Sequence, residues 1–253
     1  MALTKDQIDR YSRHILLKEV GGQGQQKLLS AKVLVIGAGG IGHPIIQYLA
    51  AAGVGTIGIA DDDHVEISNL QRQILFTPND IGKPKTECVA RSVCDLNPDV
   101  SVHKHQLRVG EDNIAELIAP YDVVVEGIDN FKGRFVINRA CIAQKKPLIS
   151  AAIGRFDGQV TTFKSFEDPG TLPCYRCLVP EEPPRDEQVS CSEVGVIGAI
   201  AGVVGTLAAM EVLKEILMIG QSLAGRISIY NGLSGETRLV TLPADPACED
   251  CAP

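Results

Sequence analysis

Four cysteines stand in two widely separated pairs, Cys174-Tyr175-Arg176-Cys177 and Cys248-Glu249-Asp250-Cys251. Two C-x-x-C pairs can close a tetrahedral thiolate site around zinc. A catalytic zinc keeps an open position, and no spare histidine lies near either pair, so structural zinc is the expectation and redox chemistry the alternative. Such a site would pin the C-terminal tail to the segment around Cys174. Cys88, Cys94 and Cys141 fall in helix-like text and read as small core residues. Cys191 lies between Ser190 and Ser192, just ahead of a glycine-spaced helix. A helix N-terminus lowers a thiol pKa, so thiolate chemistry is expected there, with an inert thiol as the alternative.

A second constellation is rich in glycine. Gly37, Gly39, Gly40 and Gly42 lie in Gly37-Ala38-Gly39-Gly40-Ile41-Gly42, a G-x-G-x-x-G pattern between a strand-like run and a helix-like one. Glycine lets the backbone turn sharply and approach an anion, and the helix N-terminus aims N–H groups at it. Asp61 ends the next strand, about twenty residues on, where an acid can hold a ribose hydroxyl. Adenine-nucleotide binding follows, but the motif does not choose between NAD and ATP.

The next loop favours ATP. Ser68-Asn69-Leu70-Gln71-Arg72-Gln73 is followed by Gly82-Lys83-Pro84-Lys85. A redox enzyme does not need two cations beside its nucleotide acid. A nucleotidyl transferase does, because negative charge shifts onto the leaving pyrophosphate. Arg72 offers a bidentate fork and Lys85 a compact charge at a helix start. Asp129, followed by Asn130, leaves the fourth strand at its C-terminal end. There it can hold magnesium, or alternatively cap the helix beginning at Phe131.

These residues need elements to position them. Apolar runs at Val33–Ile36, Thr56–Ala60, Val100–His103, Tyr121–Glu126 and Pro147–Ala151 alternate with helix-like text at Ile41–Ala51, Lys85–Leu96, Asp112–Ile118 and Phe131–Ala143. That alternation predicts a Rossmann-like, doubly wound, mostly parallel α/β sheet. Thr4 and Gln7 predict a capping box, with Ile8, Tyr11 and Ile15 on one helical face. A further strand is expected over Gln159–Phe163. Residues 167–192 read as an irregular crossing segment, followed by a glycine-spaced helix to about Ile219. Arg226–Tyr230 and Thr237–Leu242 flank Asn231-Gly232 and predict a C-terminal β-hairpin. The whole of 1–253 reads as one domain: a nucleotide-binding part to residue 165, then the crossing segment, interface helix, hairpin and zinc tail.

Composition narrows the class. The 253 residues carry 31 acids against 24 Lys and Arg, a net charge of −7, which disfavours nucleic acid as a partner. Tryptophan is absent, so base-stacking platforms are not expected. The first seven residues contain an acid, Asp6, and no apolar core, so a signal peptide is not expected. Val194 to Met210 is uncharged but closed by Glu193 and Glu211, and reads as a buried or interface helix rather than a membrane span. A cytoplasmic protein is the expectation.

Taken together, the chain resembles the ThiF/MoeB/HesA family, bacterial relatives of ubiquitin-activating enzymes. The likeness runs over nearly the whole length. It is carried by Arg10-Tyr11-Ser12-Arg13, the glycine loop, Ser68 to Gln73, Gly82 to Lys85, Asp129-Asn130, Cys191, Gly195 to Gly198 and the two cysteine pairs. The resemblance implies a homodimer that uses ATP to adenylate the C-terminal glycine carboxylate of a small ubiquitin-like sulfur carrier ending in Gly-Gly, releasing pyrophosphate. It implies ribose binding by Asp61, phosphate binding by Asn69, Arg72 and Lys85, with Gln73 and Asn130 in the same nucleotide site, and magnesium at Asp129. It also implies that Arg13 reaches the partner subunit's nucleotide. Cys191 matches the cysteine that links to the carrier in the thiamine branch; its role in the molybdopterin branch is less clear. Gly198-Ala199 replaces a frequent Gly-Pro, and Val194 a common Ala, outside the adenylation set. No rhodanese sequence follows the cysteine tail, so a separate sulfur donor is expected. The competing readings are an NAD-dependent oxidoreductase, disfavoured by Arg72, Lys85 and the cysteine pairs, and a non-catalytic half of an activating complex, disfavoured by the full charged set.

Overall fold

The computed structural model describes residues 2–184 and 195–252. Among them, eight strands form one sheet in the order β3-β2-β1-β4-β5-β6-β7-β8. Strands β1 (Lys32–Ile36), β2 (Thr56–Ala60), β3 (Ser101–His105), β4 (Val123–Glu126) and β5 (Leu148–Ile153) pair in parallel. The chain leaves β1 toward β2 and β3, then returns on the other side of β1 as β4. That reversal is the switch point outside which open α/β sheets bind ligands. Strands β6 (Asp157–Phe163), β7 (Arg226–Asn231) and β8 (Glu236–Thr241) extend the same sheet antiparallel.

The uninterrupted apolar run of β1 has a physical reason: both of its faces are covered. Val33 and Val35 join the core beneath α3 (Gly21–Ser30), α4 (Gly42–Ala52), α5 (Lys85–Leu96) and α9 (Gly198–Leu217). Leu34 and Ile36 join the opposite core beneath α6 (Ile114–Ile118) and α7 (Phe131–Ala143). Helix α4 stops where expected, at Gly53 in the left-handed conformation. Two of the glycines of α9 serve close approach. A side chain at Gly205 would strike Pro44 and the Ile41 carbonyl, and one at Gly198 would strike the Gln71 carbonyl. No helix among the described residues is long and apolar enough to cross a membrane.

Several expectations need correction. The Thr4–Gln7 capping box is present, but helix α1 (Lys5–Arg10) breaks at Tyr11 before α2 (Ser12–Ile15). The break removes the single apolar face: Tyr11 is buried, whereas Ile8 is exposed. The C-terminal hairpin forms, but Asn231 pairs with Glu236, so four residues make the loop instead of Asn231-Gly232 alone. The Asn231 carboxamide oxygen accepts from the N–H groups of Leu233 and Ser234, and Gly235 takes the positive φ. The crossing segment carries a short helix, α8 (Tyr175–Leu178). Cys88 and Cys141 are buried as expected, but Cys94 is exposed.

Candidate active site

The C-terminal ends of β1, β2 and β4 open into a cavity of about 480 Å³. Gly37 leaves β1 at φ +96°, a conformation that disfavours a side chain. A Cβ at Gly42 would collide with the Gly37 carbonyl, so glycine there lets α4 begin directly under the loop. Gly37, Gly39 and Gly40 line the cavity, while Gly42 supports it from behind.

Asp61 follows β2 and is tied to this loop. Its carboxylate accepts from the Ala38 N–H at 2.7 Å and from the Asp63 N–H at 2.9 Å. Burial pushes Asp61 above the ordinary carboxylate value, against the pull of Lys85 and the two N–H groups. Asn69 ends a short 3-10 turn (Ile67–Asn69); its Oδ1 accepts from the Glu66 N–H, leaving the NH₂ end as a donor. Arg72 lays its stem on Gly40 and donates from Nη1 to the Ser68 carbonyl at 3.0 Å. Gln73 is buried, with its amide oxygen unpartnered among the described residues. Lys85 begins α5, and its almost fully buried ammonium lies 2.7 Å from the exposed carboxylate of Asp63.

Asp129 lies on the far wall, exposed and lining the cavity. The cap of α7 is Asn130, whose Oδ1 accepts from the Gly133 N–H at 2.7 Å, so the Asp129 carboxylate is left out of the cap. Sequence reasoning missed what holds this loop. Arg134 donates to the carbonyls of Ile128, at 2.7 and 3.2 Å, and Ala151, at 3.0 Å. It also pairs with Glu126 at 3.4 Å. Glu126 is buried, accepts from Ser150, and is pushed above its ordinary value by that burial. The one usable signal was a carboxylate ending an otherwise apolar strand.

The cavity therefore gathers Gly37, Gly39, Gly40, Asp61, Asn69, Arg72, Gln73, Lys85, Asp129 and Asn130. It does not include Arg13, which is exposed on α2. Neighbouring Tyr11 sits under Gly53 and accepts from Asn97, at the opposite end of the strands. Cys191 lies outside the described residues.

The two cysteine pairs meet. Cys174 and Cys248 have sulfurs 3.6 Å apart, Cys177 and Cys251 3.5 Å apart, and all four lie within 4.8 Å of one another. Disulfide sulfurs lie about 2.05 Å apart. Four sulfurs at about 2.3 Å from a tetrahedral zinc would stand about 3.8 Å from each other. Burial pushes the Cys174 thiol up to about 12, so four thiolates here need a cation. Burial also raises Cys177, but N–H groups of Asp245 and Cys174 outweigh it and bring that thiol below its usual value. The donor set fits zinc.

A sequence profile of the ThiF family matches residues 11–250. The chain belongs to the ThiF family. It is 44% identical over 252 residues to the sulfur carrier protein adenylyltransferase of Thermus thermophilus, covering 99% of this chain and 93% of that protein. It is 45% identical to the SAMP-activating enzyme E1 of Haloferax volcanii, covering 99% and 91%. Among solved structures, E. coli MccB with ATP superimposes with a TM-score of 0.81 at 26% identity, over 96% of this chain and 74% of that one. This ThiF-family chain thus shares its fold with a protein solved together with ATP.

Proposed function

We propose that this chain is an ATP-dependent adenylyltransferase that activates the C-terminal glycine carboxylate of a small ubiquitin-like sulfur-carrier protein, as a single ThiF-type unit. The carrying observation is that Arg72 and Lys85 converge with Asp61 and Asp129 on one cavity at the strand ends. An adenylation needs a ribose anchor, a path for charge onto pyrophosphate and a place for a cation. Asp61, already oriented by two N–H groups, holds the ribose. Arg72, Lys85, and the amide ends of Asn69 and Gln73 hold the phosphates, beneath the N–H groups of the glycine loop. Lys85 exchanges its bond to Asp63 for a phosphate oxygen. Asp129 receives magnesium, which supplies charge neutralisation. Asn130 keeps that loop on α7.

The proposal includes a homodimer. Val203, Leu207 and Met210 leave an apolar stripe exposed on α9, and Tyr48 is exposed on α4. Helix α9 runs from Gly198, against Gln71 and Arg72, to Leu217, against Gly24 of α3. A two-fold axis through the stripe and perpendicular to α9 packs that helix antiparallel to its copy. The partner's α2–α3 end then comes beside this subunit's cavity, and Arg13 acts there. Reaching its own cavity would require crossing the length of a five-residue strand, about 16 Å. Zinc at Cys174, Cys177, Cys248 and Cys251 is structural, a separate protein donates sulfur, and the enzyme works in the cytoplasm. Cys191 is proposed as the residue that meets the activated carrier.

The test is ATP–pyrophosphate exchange with small proteins ending in Gly-Gly. Carrier-dependent exchange supports the reading. Nucleotide binding with no exchange on any such carrier removes it.

A further inference from the structure

Beneath the glycine loop lies a histidine that the adenylation reading does not use. His43 sits in the first turn of α4 and is completely buried. Its backbone N–H donates to the Gly39 carbonyl at 3.1 Å, which ties it to the wall of the cavity. Its ring meets the chain that follows Gln73. Nδ1 accepts from the Leu75 N–H at 2.9 Å, and the ring meets Phe76 edge-on, with centroids 4.4 Å apart. Leu75 and Phe76 follow Arg72 and Gln73 with only Ile74 between. One residue therefore joins the glycine loop to the chain that carries the phosphate cation.

We propose that His43 is a positioning residue for Arg72 and Gln73, its Nδ1 fixing the backbone after them to the helix under the glycine loop. The role requires an unprotonated Nδ1, and hence a neutral ring with its proton on Nε2. The surroundings enforce this. Burial first, and the charge of Lys85 second, push His43 down to about 3 against the backbone of Ala38. The acceptor persists throughout the neutral range. The partly buried Leu75 N–H would lose its acceptor, so loss of the ring nitrogen acts on the loop directly.

The inference rests on the reading of the cavity as a nucleotide site, so its test uses MgATP alone, with no carrier. His43→Leu fills the space without an acceptor. His43→Asn keeps one, because its Oδ1, like Nδ1, is two bonds beyond Cβ. Calorimetry should show MgATP binding weakened about tenfold in His43→Leu, the factor set by one ordinary hydrogen bond, with most of it restored in His43→Asn. Unchanged affinity in His43→Leu, or an Asn variant no better than Leu, overturns the proposal. Should His43→Leu not fold, ring ¹⁵N shifts of the wild type decide: a protonated Nδ1 at pH 7 overturns it, and an unprotonated one with near-normal affinity in His43→Asn supports it. A wild type that binds MgATP without carrier-dependent exchange overturns the adenylation reading and leaves His43 standing. A wild type blind to MgATP removes the nucleotide site itself.

Discussion

Arg72 and Lys85 differ in how the protein prepares them. Lys85 is buried and held by Asp63, whereas Arg72 lies along Gly40 with its guanidinium partly in water. Both face the same cavity, so Arg72→Ala and Lys85→Ala should each lower pyrophosphate exchange by roughly 10³-fold, the cost of removing a transition-state cation. Near-wild-type exchange in either variant would take that residue out of the site. A different carboxylate sets acid sensitivity. Asp80 is buried, and a bidentate bond from Arg91, partly offset by desolvation and helped by Thr77, holds it well below the usual carboxylate range. A depressed pKa gives stability that is present above the ordinary aspartate value and is lost as pH falls through the folded one. Asp80→Asn should therefore melt earlier than wild type at pH 7, with the gap closing only as the pH falls below the ordinary aspartate value of about 4. A gap that stays constant through that fall would mean the Asp80 charge contributes nothing.

At the scale of elements, the cysteine pairs fasten the last residues of the chain to α8. Asn138 of α7 accepts from the Tyr175 N–H and donates to Asp250, so the fastening reaches the helix that follows the Asp129 loop. Truncation before Cys248 should lower the melting temperature and abolish stoichiometric zinc, read by metal analysis. Zinc-free full-length protein of undiminished stability would exclude a structural metal. How legible these elements were depended on how local their causes are. The alternation of apolar runs, the capping box and the stop at Gly53 are written in neighbouring residues, and they formed within a residue or two of expectation. So did the two cysteine pairs, because ligand spacing is local even when the pairs are far apart. The four-residue hairpin loop was not legible, since its register is set by pairing with β6 and by the Asn231 side chain. The Glu126–Arg134–Ser150 network joins three elements, and nothing in the sequence spacing brings Arg134 back to the end of β4. Helix α9 lies between these cases. Its glycines and missing charges predicted burial, but only the packing showed that Gly198 and Gly205 face the cavity loop and α4 while Val203, Leu207 and Met210 face out.

At the scale of the whole molecule, the N-terminal helices pack at one end of the sheet and the cavity opens at the other. On the proposed reading, Arg13 serves a cavity that a second subunit brings to it. Two inactive variants can test this together. An Arg13→Ala chain keeps Asp129 and lacks only the arginine it would lend to its neighbour. An Asp129→Ala chain has a dead site of its own but can still lend Arg13. When the two are mixed, each heterodimer regains one complete site, in the Arg13→Ala chain, while its other site lacks both groups. Random exchange of equal amounts makes about half of the two-fold dimers mixed, so about a quarter of wild-type exchange activity should return. Subunit exchange is followed separately, with differently tagged chains. Recovery near that level requires Arg13 to act across the interface, because no cis arrangement can place an intact Arg13 and an intact Asp129 in one site from these two chains. Verified heterodimers that stay inactive would confine Arg13 to its own subunit or to a structural part, and would separate the apolar stripe of α9 from the catalytic geometry.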